Sequence, residues 1–433
     1  MTPRQIATQI VLDVQEHGAY ANIALAKSLR KFQLEDRDRR FCTELTYGTI
    51  KAGKSIDWFI ENHLKNRKLV DSPEEVRAIL RVGAYQLLFM TRVPKSAAVN
   101  ESTELVRSFK LHDGIVKFVN GVLRNCAREI ENSTFEEIID KRIPDQNAKS
   151  IALKFLHPIW LVEHWIEIFG IDETIKLCKF DNQDPPLSLR VNTLKSSRDE
   201  ILKQIQSAEP SKISPEGIIL KDHGALNDFN FLKDGILIAQ DESSQLVAHV
   251  LDPKPDESIL DACSAPGGKS THIAALIQNR GKIVACDSNE KRIELVKQNA
   301  ERLGCNSIVT ICADARNLGR KYPQEFDRVL VDAPCSGLGV LRRKPDARWK
   351  KFPKNLKELP ELQFEILESC ARCVKIGGTL VYSTCTMESA ENEDLVAKFL
   401  DRHSAFKLIS TRKLLPTIDG TDGFFIARIE RIS

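Results

Sequence analysis

The chain has 433 residues, 42% of them apolar, enough for two or three domains that each bury a core of their own. Its 63 basic and 60 acidic residues nearly cancel to a net charge of +3, so global charge excludes a polybasic or polyacidic chain and leaves any affinity for nucleic acid to local clustering. No uncharged apolar run reaches the roughly 18 residues of a membrane span, the N-terminus does not read as a secretory leader, and the 11 cysteines lack a regular disulfide framework. A cytoplasmic protein with reduced thiols and no membrane contact is expected.

In chain order, apolar residues recur at helical spacing over residues 1–132, in "IATQIVLDV", "VRAILRVGAYQLLFM" and "GIVKFVNGVLRNCAREI", which predicts an all-α domain. Residues 145–235 mix the helical pattern "HPIWLVEHWIEIFG" with extended stretches "LSLRVNT", "GIILK" and "GILIA", predicting a small α+β subdomain. From 236 to 433, strands alternate with helical segments: "SILDA", "KIVACD", "SIVTICAD", "DRVLVDAP", "GTLVYSTC" and "FFIARIE". This alternation predicts a mostly parallel, doubly wound α/β sheet, on which ligands bind beyond the carboxyl ends of the strands.

The first such end is "ILDACSAPGGKSTHIA". Gly267 and Gly268 follow Pro266 between a strand and a helix, where missing side chains let a ligand approach backbone N–H groups. A P-loop needs a further glycine at the place of Cys263, and G-x-G-x-x-G is absent, so nucleoside triphosphates and dinucleotides are poor candidates. Asp287 ends the second strand, 20 residues after Gly267, where a carboxylate can accept both ribose hydroxyls. Asp314 ends the third strand and could take an adenine amino group; Asp332 ends the fourth and could reach the amino group of a methionine moiety. Together these aspartates point to S-adenosylmethionine.

Cys335 in "VLVDAPCSG" and Cys385 in "TLVYSTCT" stand just past two of these strands. Carbon 5 of cytosine is a poor nucleophile, so its methylation requires a nucleophile to add first at carbon 6, and a thiolate suits that role. A second group must then help remove the carbon-5 proton so that the first can leave. By residue chemistry alone either cysteine could attack. The other nine cysteines read as small buried hydrophobes, including Cys370 and Cys373, whose single C-x-x-C falls in a helical segment without a second pair; no metal is expected.

The motifs "DACSAPGGKS", "DAPCSGLGVLRRKPDARW" and "YSTCTMESAENE" resemble those of the RNA cytosine-5 methyltransferases of the Sun/NOL/Fmu group, and "GILIAQDESSQLVA" and "DGFFIARIE" match it as well. The resemblance implies a Rossmann-like class I methyltransferase fold for 236–433, Cys385 as nucleophile and Cys335 as the group assisting release. It further implies cofactor contacts from Cys263, Ser264, Ala265, Pro266, Gly267, Gly268 and Lys269 and from Asp287, Asp314 and Asp332, with Asp332 also bonding the cytosine. Ser264 stands where alanine is usual, a small-for-small exchange.

After the Cys335 motif, "LRRKPDARWKKFPKNLK" carries eight Lys or Arg against one aspartate, with Trp349 and Phe352 interleaved, and is read as an RNA-contacting loop with Arg342, Arg343 and Arg348 as contributors. In the helical zone, "DRRFCTELTYGTI" and "VPKSAAVNESTELVRSF" with "FVNGVLRN" resemble the RNA-binding antitermination factor NusB. Such a domain joined to these motifs resembles the members of the group that modify 16S ribosomal RNA at cytosine 967, making that RNA the implied partner; a transfer RNA stays open, and a monomer is expected. Two rival readings are an RNA-binding protein with an inactive methyltransferase domain, against which intact Cys335, Cys385 and Lys269 speak, and an exocyclic-amine methyltransferase, whose Asn/Asp-Pro-Pro-aromatic turn is replaced here by "DAPCSG".

Overall fold

The structure, a computed structural model, describes residues 1–65, 67–220 and 230–433. By packing, the chain forms two compact units: Met1–Gln183 with Leu341–Phe352, and Asp184–Val340 with Pro353–Ser433.

The first unit is helical throughout. Its first helix, Pro3–Gln15, starts in a capping box in which Thr2 and Gln5 exchange side-chain and backbone hydrogen bonds, and buries Ile6, Ile10, Val11 and Val14 at the spacing of one face. Arg81 bridges this helix to its neighbours, donating to Glu16 Oε1 at 2.7 Å and to Asp57 Oδ1 at 2.7 Å. Helices Phe135–Arg142, Ala148–Lys154, Ile159–Phe169 and Ile171–Asn182 continue the unit. The packing boundary at Gln183 therefore falls inside the 145–235 segment expected to form one subdomain. The reason is burial: Leu161, Val162, Trp165 and Leu177 lie on faces covered by helical neighbours, not by strands.

The second unit holds two sheets. The small one is antiparallel, in the order β2-β3-β1-β4, from β1 (Leu187–Val191), β2 (Ala208–Pro210), β3 (Gly217–Leu220) and β4 (Leu237–Ala239). Lys221, the last residue of the expected strand "GIILK", lies outside the described residues. The large sheet has the order β10-β11-β9-β8-β5-β6-β7, from β5 (Ser258–Asp261), β6 (Lys282–Asp287), β7 (Ile308–Cys312), β8 (Phe326–Asp332), β9 (Val374–Thr384), β10 (Phe406–Leu414) and β11 (Phe424–Arg431). The pairs β5·β6, β6·β7, β5·β8 and β8·β9 are parallel, while β11 runs antiparallel to both neighbours. The direction of winding reverses between β5 and β8, so the crevice beyond their carboxyl ends is the switch point where such sheets bind ligands.

Two strands escaped the sequence reading. β10 is an edge strand whose residues are mostly exposed, and β2 is a three-residue edge; neither needs the apolar run that marks a buried strand. Cys370 sits in the last turn of helix Pro353–Ala371, but Cys373 lies in the turn after it, so the C-x-x-C is not wholly helical. Cys312 is exposed at the end of the edge strand β7, unlike the buried cysteine expected there. Among the described residues, no helix is long and apolar enough to cross a membrane.

Candidate active site

Register builds the site. In the parallel pair β8·β9, Asp332 lies opposite Ser383, so the chain beyond them carries Cys335 and Cys385 off the same end of the sheet. Ser383 Oγ donates to Asp332 Oδ1 at 2.9 Å, and Lys269 Nζ donates to Asp332 Oδ2 at 2.6 Å. Lys269 comes from the first turn of helix Gly268–Leu276 and lies 5.4 Å from the Phe424 ring centroid. Burial works against its ammonium, but the Asp332 carboxylate outweighs burial and holds Lys269 above the ordinary lysine range.

The turn before that helix is held from several sides. Ser264 N and Oγ both donate to Cys286 O, at 2.7 and 2.9 Å, tying the turn to β6. Gly267 has φ +100°, a conformation that side chains disfavour, and a Cβ there would come 3.2 Å from Val296. The fully buried Arg190 of β1 donates to Gly268 O at 2.6 Å and to Thr271 Oγ1 at 3.0 Å, so the small sheet braces the turn. Burial pushes Arg190 down to about 9. Pro266 O accepts from Asn299 Nδ2 at 2.8 Å, and Ala265 O from Arg292 Nη2 at 3.2 Å.

Cys335 and Cys385 are both half-buried, and their sulfurs lie 3.3 Å apart. The hydrogen bond to Cys385, then burial, pushes the Cys335 thiol well above the ordinary range. The two loops are laced together: Ser336 Oγ lies 2.8 Å from Thr386 Oγ1, and Gly339 N donates to Cys385 O at 3.1 Å. Beneath them Asp261, at the end of β5, is fully buried, accepts from Ser270 Oγ at 2.6 Å, and is pushed up to about 7 by burial and by the nearby Asp332 charge.

Of the other residues singled out in the sequence, Cys263 lies at this same crevice, where burial raises its thiol well above the ordinary range. Asp287 is buried at the end of β6, accepting from Asn289 N at 3.1 Å, with Arg292 Nη1 3.4 Å from its Oδ2. Asp314, beyond β7, is half-buried and gripped by Arg316 through bonds of 3.1 Å to Oδ1 and 2.7 Å to Oδ2, which hold its carboxyl below the ordinary range.

The basic stretch needs a correction. Residues 341–352, read from sequence as an RNA-contacting loop, pack into the helical unit. Arg348 is fully buried and donates to Leu156 O at 2.8 Å, Asn182 Oδ1 at 3.0 Å and Asp181 O at 3.2 Å; its charge faces protein, which removes it from contact with phosphates. Arg342 is buried with its guanidinium 4.1 Å from the Phe180 ring centroid, while Arg343 is half-buried. Trp349 donates from Nε1 to Lys51 O at 3.1 Å and fills the space beside Gly53, where a Cβ would come 2.5 Å from the indole. Sequence showed eight cations and two aromatics; it gave no sign that carbonyls from residues about 170–190 positions earlier would take up the charge.

Known proteins match the whole chain. A protein of Bacillus subtilis named "Probable ribosomal RNA small subunit methyltransferase B" is 37% identical over 99% of this chain and 98% of its own. The chain belongs to the family of ribosomal RNA small subunit methyltransferase B. The Yersinia enterocolitica member, "Ribosomal RNA small subunit methyltransferase B", is 34% identical over 98% of both chains. The model of the family described as 16S rRNA methyltransferase RsmB/F matches residues 248–430, that of the NusB family residues 1–128, and that of an RsmF/B-like ferredoxin-like domain residues 157–227. The crystal structure of PH0851 is 29% identical and superposes with a TM-score of 0.86 over 99% of each chain. In family terms, then, this methyltransferase combines a NusB-like helical domain, a ferredoxin-like domain and a Rossmann-like catalytic domain. Its matched catalytic segment contains every residue of the crevice described above except Arg190. Sequence reading missed Ser383 and Asp261, and also Glu391 and Gln363, which bond each other beside the Cys335 turn. Ser383, Asp261 and Glu391 stand inside the quoted motifs, but only their burial marks them.

Proposed function

We propose that this methyltransferase transfers a methyl group from S-adenosylmethionine to carbon 5 of a cytosine in 16S ribosomal RNA, cytosine 967 being the expected target, through a covalent bond between Cys385 and carbon 6. The observation that carries this reading is the contact of two half-exposed thiols beside the Lys269–Asp332 pair.

The crevice suits the cofactor. The turn Cys263–Lys269 leads into the start of helix Gly268–Leu276, whose first-turn N–H groups have no partner within the helix, Gly268 has no neighbour within 3.4 Å of an added Cβ, and the buried Asp287 supplies an acceptor for ribose hydroxyls. Asp314 and Asp332 complete the proposed contacts. S-adenosylmethionine, when bound, supplies an electrophilic methyl group.

Cys385 lies in the field of the Lys269 ammonium, which favours a thiolate there. Its electron pair adds to carbon 6 and makes carbon 5 nucleophilic. Asp332, already accepting from Lys269 and Ser383, keeps a lone pair on each oxygen for the amino group of the base. After methyl transfer, Cys335 assists removal of the carbon-5 proton, and Cys385 departs with the bonding pair. The NusB-like segment is proposed to hold the RNA.

The test uses the full chain, 16S ribosomal RNA and labelled methyl donor, read on a denaturing gel. Cys385→Ala should form neither methylated RNA nor a protein–RNA band. Cys335→Ala should accumulate a band that survives denaturation, and the double variant should lose it. The reversed pattern reassigns attack to Cys335; undiminished methylation by both variants ends the thiol mechanism.

A further inference from the structure

Glu391 lies in the turn between β9 and helix Glu393–Arg402, six residues after Cys385, and is fully buried. Its Oε2 accepts from two neutral donors, Ser336 N at 2.9 Å and Gln363 Nε2 at 2.7 Å, and Gln363 Nε2 also donates to Pro334 O at 2.9 Å. These bonds grip the residues on either side of Cys335. Tyr382 OH donates to Glu391 O at 2.7 Å, fixing the turn to β9. The second carboxylate oxygen, Oε1, is buried and has no hydrogen-bond partner among the described residues.

A buried acceptor left without a partner is costly, and an acid met only by neutral donors is a poor device for stability. A glutamine would satisfy the same two donors without the charge. What the glutamate adds is a negative potential at Cys335, in a crevice where two thiols are in contact.

We propose that Glu391 is a positioning residue for Cys335: it fixes the 334–336 turn and biases the thiol pair so that Cys335 keeps its proton while Cys385 carries the charge. This rests on the reading of Cys385 as nucleophile and deepens it. The titratable groups facing the pair are Glu391 and Tyr382 from the β9 side and Asp332 from β8, with Lys269 beside Cys385 and Glu388 beside Glu391. Among them only Lys269 is cationic, and its Nζ is bonded to Asp332. Burial raises Glu391 itself above the ordinary range, and the Glu391 charge adds to the hydrogen bond from Cys385 and the burial that raise Cys335.

The same field serves the later step. Once Cys385 is bonded to carbon 6, its charge no longer opposes ionisation of Cys335, which gives its proton to water. The Cys335 thiolate then takes the carbon-5 proton, the electrons of that C–H bond form the C5–C6 double bond, and the C6–S pair returns to Cys385. Beside Glu391, that thiolate is a stronger base than an ordinary one.

The experiment measures iodoacetamide labelling of Cys335 by peptide mass spectrometry across pH, on the full chain without RNA. Glu391→Gln, checked for folding by its melting curve, should label faster at neutral pH, by about tenfold for each pKa unit lost, and should accumulate covalent protein–RNA complex when RNA and methyl donor are added. A folded Glu391→Gln protein with the wild-type Cys335 labelling profile overturns the proposal. Cys385→Ser tests it with Glu391 in place: Cys335 should titrate above the ordinary thiol value of about 8.5, and a midpoint at or below that value overturns the proposal even where Glu391→Gln fails to fold. If Cys335→Ala traps no RNA while Glu391→Gln still shifts labelling, the covalent reading fails and the electrostatic role stands.

Discussion

Each unit holds a cation against protein acceptors, to different ends. In the helical unit Arg348 spends three donors on two carbonyls and an amide oxygen, and the adjoining His157–Asp181 pair is closed off as well. In the catalytic unit Lys269 meets one carboxylate, whose other oxygen takes a serine, and the half-exposed thiols stand next to it. Both sites are preorganised, but only the second leaves unused acceptor capacity where a substrate can reach it. Access, rather than the presence of charge, distinguishes a structural polar cluster from a chemical one.

The widest separation should come from Lys269→Met. It strands the half-buried Asp332 without its cation, at a cost below the about 3–5 kcal/mol of a fully buried pair, and single-turnover methylation should fall by about a hundredfold or more while the melting of the helical unit is unchanged. An active Lys269→Met protein would erase the contrast. Arg348→Met should do the opposite, destabilising the helical unit by about 2–4 kcal/mol through lost charge-assisted bonds. Its signature is an earlier helical melting transition, with binding of the methyl donor by the other unit retained.

Acid should then distinguish the two units. Burial pushes His157 down to about 4 and His272 down to about 3, both from an ordinary 6.5. Unfolded histidine binds a proton below about 6.5 while these buried rings refuse it, so the stability they contribute is complete above that pH. It is lost as pH falls, at about 1.4 kcal/mol per pH unit for each ring. The loss should stop near pH 4 for the helical unit and continue to about 3 for the catalytic one. Melting temperature against pH checks this, and His157→Gln should flatten the curve of the helical unit alone. The smallest effect belongs to Asp314→Asn. Its side chain is only half-buried and already held by Arg316, so methyl-donor affinity should drop by no more than about 1 kcal/mol, against a larger loss for the buried Asp287→Asn in the same titration calorimetry.

Much of this protein was determined by its sequence alone. Helical periodicity placed Pro3–Gln15 and its successors, apolar runs placed β5, β6, β8, β9 and β11, and the motifs around Gly267, Cys335 and Cys385 placed those residues at strand ends. Those features are local: a face, a run or a turn is complete within some ten residues, so composition and spacing suffice to read it. What tertiary structure decided depends on partners far along the chain. The register of β8 against β9 joins thiols 50 residues apart. The burial of Arg348 depends on a carbonyl 192 residues away, and the unpartnered Oε1 of Glu391 on how helix Pro353–Ala371 delivers Gln363. A cation in a basic run and a glutamate in an acidic turn look solvated in sequence, because desolvation is a property of whatever packs over them.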